Sequence, residues 1–221
     1  MIDTASGPQA DWAETAERDV LEAALRLAPA QGWTWRMAKA AGRAVGLSEG
    51  ETELLLPNGP ADLAALLSRR HDAMALTALA DVDPADLKVR QRIARAVEAR
   101  LDAAAADESA TRRWTGFLAL PQNLSLAGKL TWESTDVLWR WAGDVATDEN
   151  HYSKRAILAG ILTGALAIRL SSGRADALAF VDRRIDNVMA YEKWKATTTF
   201  RPSELLAGIA GALGRMRYGA Q

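Results

Sequence analysis

Few residues of this chain could carry chemistry, and their spacing argues against catalysis. There is no cysteine, which excludes a thiolate nucleophile, a zinc–thiolate site and a disulfide framework. Of the two histidines, His151 follows Asp148 at the spacing of half a carboxylate–histidine metal site, but a di-iron bundle needs that motif twice. His71 is expected to be a partly exposed helix residue. Nucleophile elbows and phosphate-binding or dinucleotide-binding glycine loops are absent from the sequence, so we predict no metal, no cofactor and no enzymatic activity.

The composition indicates helices. Apolar residues make up 49% of the 221 residues, which is enough for a substantial core, and Ala, Leu, Arg and Glu dominate, which favours helix over strand. Helical periodicity occurs along almost the whole chain. We predict an all-α bundle of about ten helices, at about 11–27, 35–45, a short helix after Ser48, 60–80, 84–106, 109–120, 124–143, 152–171, 175–195 and 202–216.

The first three helices have the outline of a helix-turn-helix domain, as in TetR-type regulators. A recognition helix needs cations or amides for phosphates and base edges. The third helix instead reads SEGETELLLP, and its three carboxylates would repel a duplex. We therefore predict no binding to nucleic acid and interpret Leu54, Leu55 and Leu56 as core anchors. A ligand-responsive regulator remains the alternative.

Residues 120–195 contain the most informative motifs. They include DVLW from Asp136, AGD from Ala142, TDxNxYxKRA from Thr147 and FxDRRIxxVM from Phe180. At this mutual spacing, and with matching stretches between about Val20 and Gly214, the chain resembles the Coq-nine family, whose members are lipid-binding accessory proteins of ubiquinone biosynthesis.

This resemblance implies a TetR-like fold without DNA binding, with an N-terminal helix-turn-helix-like subdomain (11–80), a lipid-binding and dimerisation bundle (81–200) and an amphipathic C-terminal helix (201–221). It also implies a homodimer, a pocket for an isoprenoid ubiquinone precursor, and a di-iron demethoxyubiquinone hydroxylase as partner. Members of the family are without catalytic residues of their own.

A partner-binding patch is implied by the same resemblance. Its residues in this chain are Asp148, Asn150, His151, Tyr152 and Arg155. The family commonly has Trp where His151 stands, so either the partner surface has changed with it or the partner differs.

The lipid pocket is predicted around the helix that contains AILAGILTGALAI (156–168). This run is apolar nearly all round, which indicates a central helix, and it is too short to span a bilayer. Gly160 and Gly164 leave a shallow face for a slender apolar ligand or for another helix, and plain core packing is the alternative. The predicted pocket residues are Leu138, Trp139, Gly160 and Gly164.

The C-terminal helix has an apolar stripe with basic residues nearby, which favours contact with a membrane. Docking on its own domain or on a second copy is the alternative. The predicted contacts are Leu205, Leu206, Ile209, Leu213, Arg215 and Met216.

Residues 153–221 carry 11 basic and 5 acidic side chains, although the whole chain has a net charge of −1. A basic C-terminal third suits an anionic membrane surface, unless the charges pair within the fold. The acidic N-terminus resembles neither a signal peptide nor a transit peptide. We expect a cytoplasmic protein, peripheral on a bacterial inner membrane, or on the matrix side in a eukaryote.

Overall fold

The structure is a computed structural model that describes the backbone of residues 8–144 and 149–197 and the side chains of 12–144 and 151–190. The described residues form helices and connecting turns, and the predicted all-α, TetR-like fold is confirmed. The helices are α1 (Pro8–Gln31), α2 (Trp35–Ala44), α3 (Glu49–Leu55), α4 (Pro60–Ala78), α5 (Val89–Ala106), α6 (Glu108–Leu118), α7 (Leu124–Trp141), α8 (Glu149–Ser172) and α9 (Arg174–Thr197). The predicted helix at 202–216 lies outside the described residues.

Most helix ends agree with the sequence, and two differ. α1 continues past Pro29 to Gln31, since a proline in the last turn removes only one backbone hydrogen bond. α5 begins at Val89 and not at Pro84. The Asp83 carboxylate accepts a hydrogen bond from the Ala85 amide at 2.8 Å and holds Pro84–Asp86 as a separate 3-10 turn.

The helix-turn-helix outline is formed by α2 and α3. Ser48 caps α3 in a reciprocal arrangement with Glu51: the Ser48 hydroxyl accepts from the Glu51 amide, and the Glu51 carboxylate accepts from the Ser48 amide. α2 and α3 approach closely at Gly42, where a Cβ atom would lie 2.1 Å from the Thr52 hydroxyl oxygen. The contact therefore requires glycine at this position.

Only part of the predicted leucine anchor is buried. Leu56 is 1% exposed, Leu55 is half-buried and Leu54 is 79% exposed. The prediction that Leu54 is a core anchor is wrong, because three consecutive residues of a helix and its C-cap point in different directions.

One hydrophobic core joins α1, α2, α4, α6 and α7. Two tryptophans connect parts of this core by hydrogen bonds. Trp33 Nε1 donates to the Ala110 carbonyl of α6 at 3.2 Å, and Trp114 Nε1 of α6 donates to the Ala64 carbonyl of α4 at 3.1 Å. The core thus crosses residue 80, where a subdomain boundary is predicted. Chain contacts divide the protein into the units Met1–Asp182 and Arg183–Gln221. The division at residues 80 and 200 stays a prediction.

α8 is the one described helix that is long and apolar enough to cross a membrane. The segment His151–Ser172 has a mean hydropathy of 1.3, and a third of its apolar window is buried. The run 156–168 alone is too short to span a bilayer, whereas the helix that contains it is long enough. Length and composition are equally typical of a core helix, and α8 packs against α7 and α5.

Candidate functional site

A cavity of about 250 Å³ lies among α4, α5, α6, α7 and α8. Its wall is mainly apolar, because each of these helices turns an aliphatic face towards it. Representative wall residues are Leu101, Leu118, Ala127, Leu130, Leu162 and Leu166. Such a space suits a hydrocarbon ligand better than a polar one.

Three buried polar side chains also line the cavity: Ser68 of α4, Arg100 of α5 and Ser134 of α7. Arg100 Nε donates to Asp72 Oδ1 at 2.6 Å, and the Ser134 hydroxyl donates to Asp72 Oδ2 at 3.0 Å. The hydroxyl oxygens of Ser68 and Ser134 are 3.5 Å apart. All four residues are buried. We call Ser68, Asp72, Arg100 and Ser134 the polar floor of the cavity.

At the polar floor, burial and ion pairing have opposite effects on the pKa of Arg100, and the effect of burial is the larger. Burial lowers the pKa of Arg100, whereas the Asp72 carboxylate, by charge and by hydrogen bond, raises it. A buried charge is tolerated when it is paired and hydrogen-bonded. Arg100 and Asp72 are paired with each other and share a hydrogen bond. The pair is therefore neutral overall, with its two charges held in place by α4 and α5.

His71 lies on α4 beside this floor and is fully buried, which corrects the expectation of partial exposure. Its Nε2 atom is 3.3 Å from Asp107 Oδ2, and its ring meets that of Trp114 edge to face, with 6.5 Å between centroids. Nδ1 has no partner among the described residues. Burial lowers the pKa of His71, so the ring is neutral, and the hydrogen bond from His71 lowers the pKa of Asp107.

An exposed aromatic cluster lies where α7 and the start of α8 meet. Trp132 stacks on Tyr152 with 6.0 Å between ring centroids and 29° between planes, and His151 meets Tyr152 edge to face at 5.2 Å. Tyr152 is 64% exposed. We call Trp132, His151 and Tyr152 the aromatic surface.

A buried ion-pair network holds α8 against α7 behind this surface. Arg155 donates from Nε to Asp136 at 2.7 Å and from Nη1 to Asp144 at 3.0 Å. Lys154 donates to Asp144 at 2.7 Å, and its ammonium lies 5.5 Å from the centre of the Trp139 ring. Burial alone would raise the pKa of Asp144, but its hydrogen bonds with Lys154 and Arg155 lower it below its usual value.

Gly143 makes this network possible. Its φ of +85° lies in the left-handed region, which glycine adopts without the steric penalty of a side chain. The chain can therefore leave α7 sharply enough for Asp144, the next residue, to reach Lys154 and Arg155.

Residues 124–192, which contain α7, α8 and most of α9, match the family model described as COQ9. The relatives extend this match to most of the chain. It is 26% identical over 208 residues to the rat protein named "Ubiquinone biosynthesis protein COQ9, mitochondrial", covering 90% of this chain and 67% of the rat protein.

The chain is therefore similar to proteins of the COQ9 family. It is 24% identical to the human protein of the same name, with 90% of this chain and 65% of the human one covered. The Xenopus laevis protein COQ9-B is 25% identical over 213 residues, with coverage of 90% and 71%. This chain thus spans about two thirds of the length of the curated relatives it matches.

The COQ9 segment contains both the aromatic surface and the ion-pair network, and the structure locates three of the five predicted patch residues. His151 and Tyr152 lie together on the surface. Asp148 lies outside the described residues, and so does the side chain of Asn150. Arg155 is corrected: it is 2% exposed and bound to two carboxylates, so it positions the start of α8 and offers no surface for contact.

The four predicted pocket residues do not line this cavity. Leu138 is fully buried in the core, and Trp139 Nε1 donates to the Lys154 carbonyl at 3.2 Å. Gly160 is exposed, with nothing within 4 Å of a Cβ placed there. At Gly164 such a Cβ would lie 2.8 Å from the Phe180 ring. Gly164 therefore accommodates a side chain of this protein and not a ligand.

The polar floor was missed by sequence reasoning, although a signal exists. Arg100 lies at helical spacing from the buried residues Ile93, Val97 and Ala104, so a charge interrupts the apolar face of α5. Asp72 interrupts the apolar face of α4 between Leu67 and Ala75 in the same way. Opposite charges on two apolar faces predict a buried pair between them. The six predicted membrane-contact residues, from Leu205 to Met216, lie outside the described residues.

Proposed function

We propose that this protein is a lipid-binding accessory protein of ubiquinone biosynthesis. It binds an isoprenoid precursor of ubiquinone in the cavity and passes it to a di-iron hydroxylase at the membrane, which modifies the demethoxyubiquinone ring. The cavity among α4–α8 carries this proposal, since a mainly apolar space in a protein similar to the COQ9 family is suited to a lipid.

The size of the cavity indicates how much of the lipid it holds. At about 250 Å³ it is slightly below the roughly 300–1,000 Å³ of small-molecule sites. It accommodates a segment of a polyprenyl-phenol, and the remaining tail passes through the mouth. Each methylene in the cavity is about 0.8 kcal/mol more stable than in water, which is similar to its stability in the bilayer. The ligand can therefore leave the membrane without exposing that segment to water, while the partner's metals perform the reaction.

The aromatic surface supports a docking role for the start of α8. Exposed aromatic side chains are enriched where proteins meet, and Tyr152 is 64% exposed beside Trp132. We infer that the hydroxylase contacts this surface. The homodimer belongs to the same proposal: the exposed side of α8 carries Ala156, Gly160 and Ala167, and small residues let a helix of a second copy approach closely.

The proposal excludes regulation through DNA. Two of the three cations of α2 are paired with α3: Lys39 with Glu49 and Glu53, and Arg43 with Glu49. The hydrogen bond that Lys39 donates to Glu53 raises the pKa of Lys39, and a duplex would have to displace these carboxylates.

Contact with the membrane is assigned to the C-terminal helix, through its predicted apolar and basic residues. This assignment places the protein on the side of the membrane where the hydroxylase works: the cytoplasmic face in a bacterium, or the matrix face in a mitochondrion, as in the names of its relatives.

The test is organic extraction of the protein purified from its native host with the hydroxylase blocked, followed by mass spectrometry. We expect polyprenyl-phenols in the extract. Ala127→Phe, which fills the cavity wall, should remove them. Ser125→Phe places the same ring on an exposed position of α7 and should retain them. An extract with bulk phospholipid alone would refute the carrier role.

A further inference from the structure

The three most buried polar side chains of the cavity lie away from its rim. Ser68, Arg100 and Ser134 are 2%, 3% and 1% exposed, whereas Leu124 at the rim is 59% exposed. Ala119 and Thr163, which also line the cavity, are exposed as well. A ligand whose polar end reaches the buried polar groups can place its apolar end against the aliphatic wall and Leu124.

Arg100 has hydrogen-bond donors to offer a ligand. A guanidinium carries five N–H donors. Among the described residues, the hydrogen bond of this side chain is made by Nε, to Asp72. The two terminal amino groups thus have no acceptor within the described part of the chain, although the residue is 3% exposed and lines the cavity. Because Arg100 lines the cavity, a ligand oxygen held there can accept hydrogen bonds from these amino groups.

The charge of the polar floor determines which oxygen fits. Asp72 already neutralises Arg100 at 2.6 Å, so a carboxylate or phosphate ligand would leave a net negative charge in an apolar surrounding. Burying an unpaired charge costs far more than burying a neutral polar group. A carbonyl, methoxyl or phenol oxygen accepts the same hydrogen bonds without that charge. The Ser68 hydroxyl can rotate to donate to it, whereas the Ser134 hydroxyl donates to Asp72 and can accept from a phenol hydroxyl.

We propose that Arg100, Ser68 and Ser134 form an anchor that takes the uncharged, oxygen-bearing ring of an apolar ligand into the deep end of the cavity, with its tail directed past Leu124. This inference rests on the proposed lipid-binding function and specifies its ligand class and orientation. The bound ring is shielded from water, and delivery to a partner requires the ligand to be withdrawn, tail leading.

The test uses the purified, delipidated full-length chain and calorimetric titration with three probes of similar chain length: a decyl-substituted dimethoxybenzoquinone, decylbenzene and dodecanoate. We expect the quinone to bind most tightly. The double variant Ser68→Ala/Ser134→Ala should weaken quinone binding about tenfold, equivalent to about 1.4 kcal/mol, and leave decylbenzene unaffected. Both changes are small, so the fold is checked by thermal unfolding. Arg100 itself is left in place, because its removal would leave Asp72 unpaired.

Thr131→Val is the matched control. Thr131 lines the same cavity, but its hydroxyl donates to the Ala127 carbonyl at 2.8 Å, so its loss should leave quinone affinity within about twofold. Equal affinities for quinone and decylbenzene, unchanged in the double serine variant, would overturn the anchor and leave lipid binding in place. Preferential binding of dodecanoate would overturn the neutral-ring assignment. Failure of all three probes to bind would overturn the lipid-binding function as well.

Photocrosslinking tests the orientation. A quinone with a diazirine on the ring should label α5 or the Ser134 segment of α7, and one with a diazirine at the tail end should label the Leu124 segment. The reverse pattern would contradict the inward orientation of the ring.

Discussion

Arg100 Nε lies 2.6 Å from Asp72 Oδ1, and both side chains are more than nine-tenths buried. The two residues belong to α5 and α4, and the hydroxyl of Ser134 on α7 joins them through Asp72. The pair and Ser134 thus connect α4, α5 and α7 around the cavity. Removing one charge alone would leave the other buried and unpaired.

Single and double replacements of this pair should differ sharply. Arg100→Met leaves the Asp72 carboxylate buried and uncompensated, and should lower the free energy of unfolding by about 3–5 kcal/mol. Asp72→Leu combined with Arg100→Met removes both charges and should recover most of that loss. Urea unfolding of the two single variants and the double variant measures the coupling. Strictly additive losses would contradict an energetic link between the two residues.

Stability should depend on His71 between pH 7.5 and 5.5. Burial lowers the pKa of His71 in the folded protein, while the unfolded chain takes up a proton near the usual value of about 6.5. Acidification therefore favours the unfolded state, by up to about 1.4 kcal/mol per pH unit below that value, and the full stability is present above it. Urea unfolding at several pH values should give a steep slope for the wild type and a flatter one for His71→Gln. Equal slopes would assign the titration to another group.

Asp144 should affect the stability of the fold at a lower pH than His71 does. Its folded-state pKa is below the usual value, so its contribution is complete above about pH 4 and is lost as the pH falls through the folded value. At pH 6, Asp144→Asn should lower the free energy of unfolding by about 2 kcal/mol, because two charge-assisted hydrogen bonds are weakened. The difference from wild type should shrink below pH 4. The exposed Asp86→Asn serves as the control and should have little effect at either pH.

Two glycine-to-alanine variants should have opposite effects. At Gly42 the new methyl group would collide with Thr52, and we expect a loss of about 1–3 kcal/mol. At Gly128, inside α7, a Cβ meets nothing within 4 Å, so alanine should stabilise the helix by up to about 1 kcal/mol. Thermal unfolding measures both. Thr52→Ala should partly rescue Gly42→Ala, and absence of rescue would place the collision elsewhere.

Tyr152→Ala should weaken binding of the hydroxylase without affecting the fold. The side chain is exposed and stacks on Trp132, so its removal takes away contact area from the aromatic surface, with an expected cost of about 2 kcal/mol in binding. Surface plasmon resonance with the hydroxylase measures this. Lys129→Ala, on an exposed position of α7, should bind as the wild type does. An unchanged affinity for Tyr152→Ala would remove this surface from the proposed interface.

The local features of the fold could be predicted because their causes are local. Ser48 and Glu51 are three residues apart, and their reciprocal capping follows from that spacing. The cavity could not be predicted in this way. Ser68, Arg100 and Ser134 are brought together only by the packing of α4, α5 and α7. The spacing of residues along the chain does not show which side chains of separate helices become neighbours.

The glycines of α8 illustrate the same limit. A glycine in a helix predicts that another group approaches the helix closely, but it does not show whether that group is a side chain, a second helix or a ligand. At Gly164 the neighbour is Phe180 of the next helix, and at Gly160 no atom lies within 4 Å. The family resemblance assigns Arg155 to the surface patch together with His151 and Tyr152. The helical rotation from Tyr152 to Arg155 instead turns it towards Asp136 and Asp144.

The three residues of the proposed anchor come from three separate parts of the chain, and the segment that matches the COQ9 model, residues 124–192, contains only Ser134. Ser68 and Arg100 lie outside it. A match to that model therefore reports on one residue of the proposed anchor and leaves the other two unexamined. Under this proposal, the residues at the positions of Ser68 and Arg100 decide whether two proteins that share the segment can hold the same ligand.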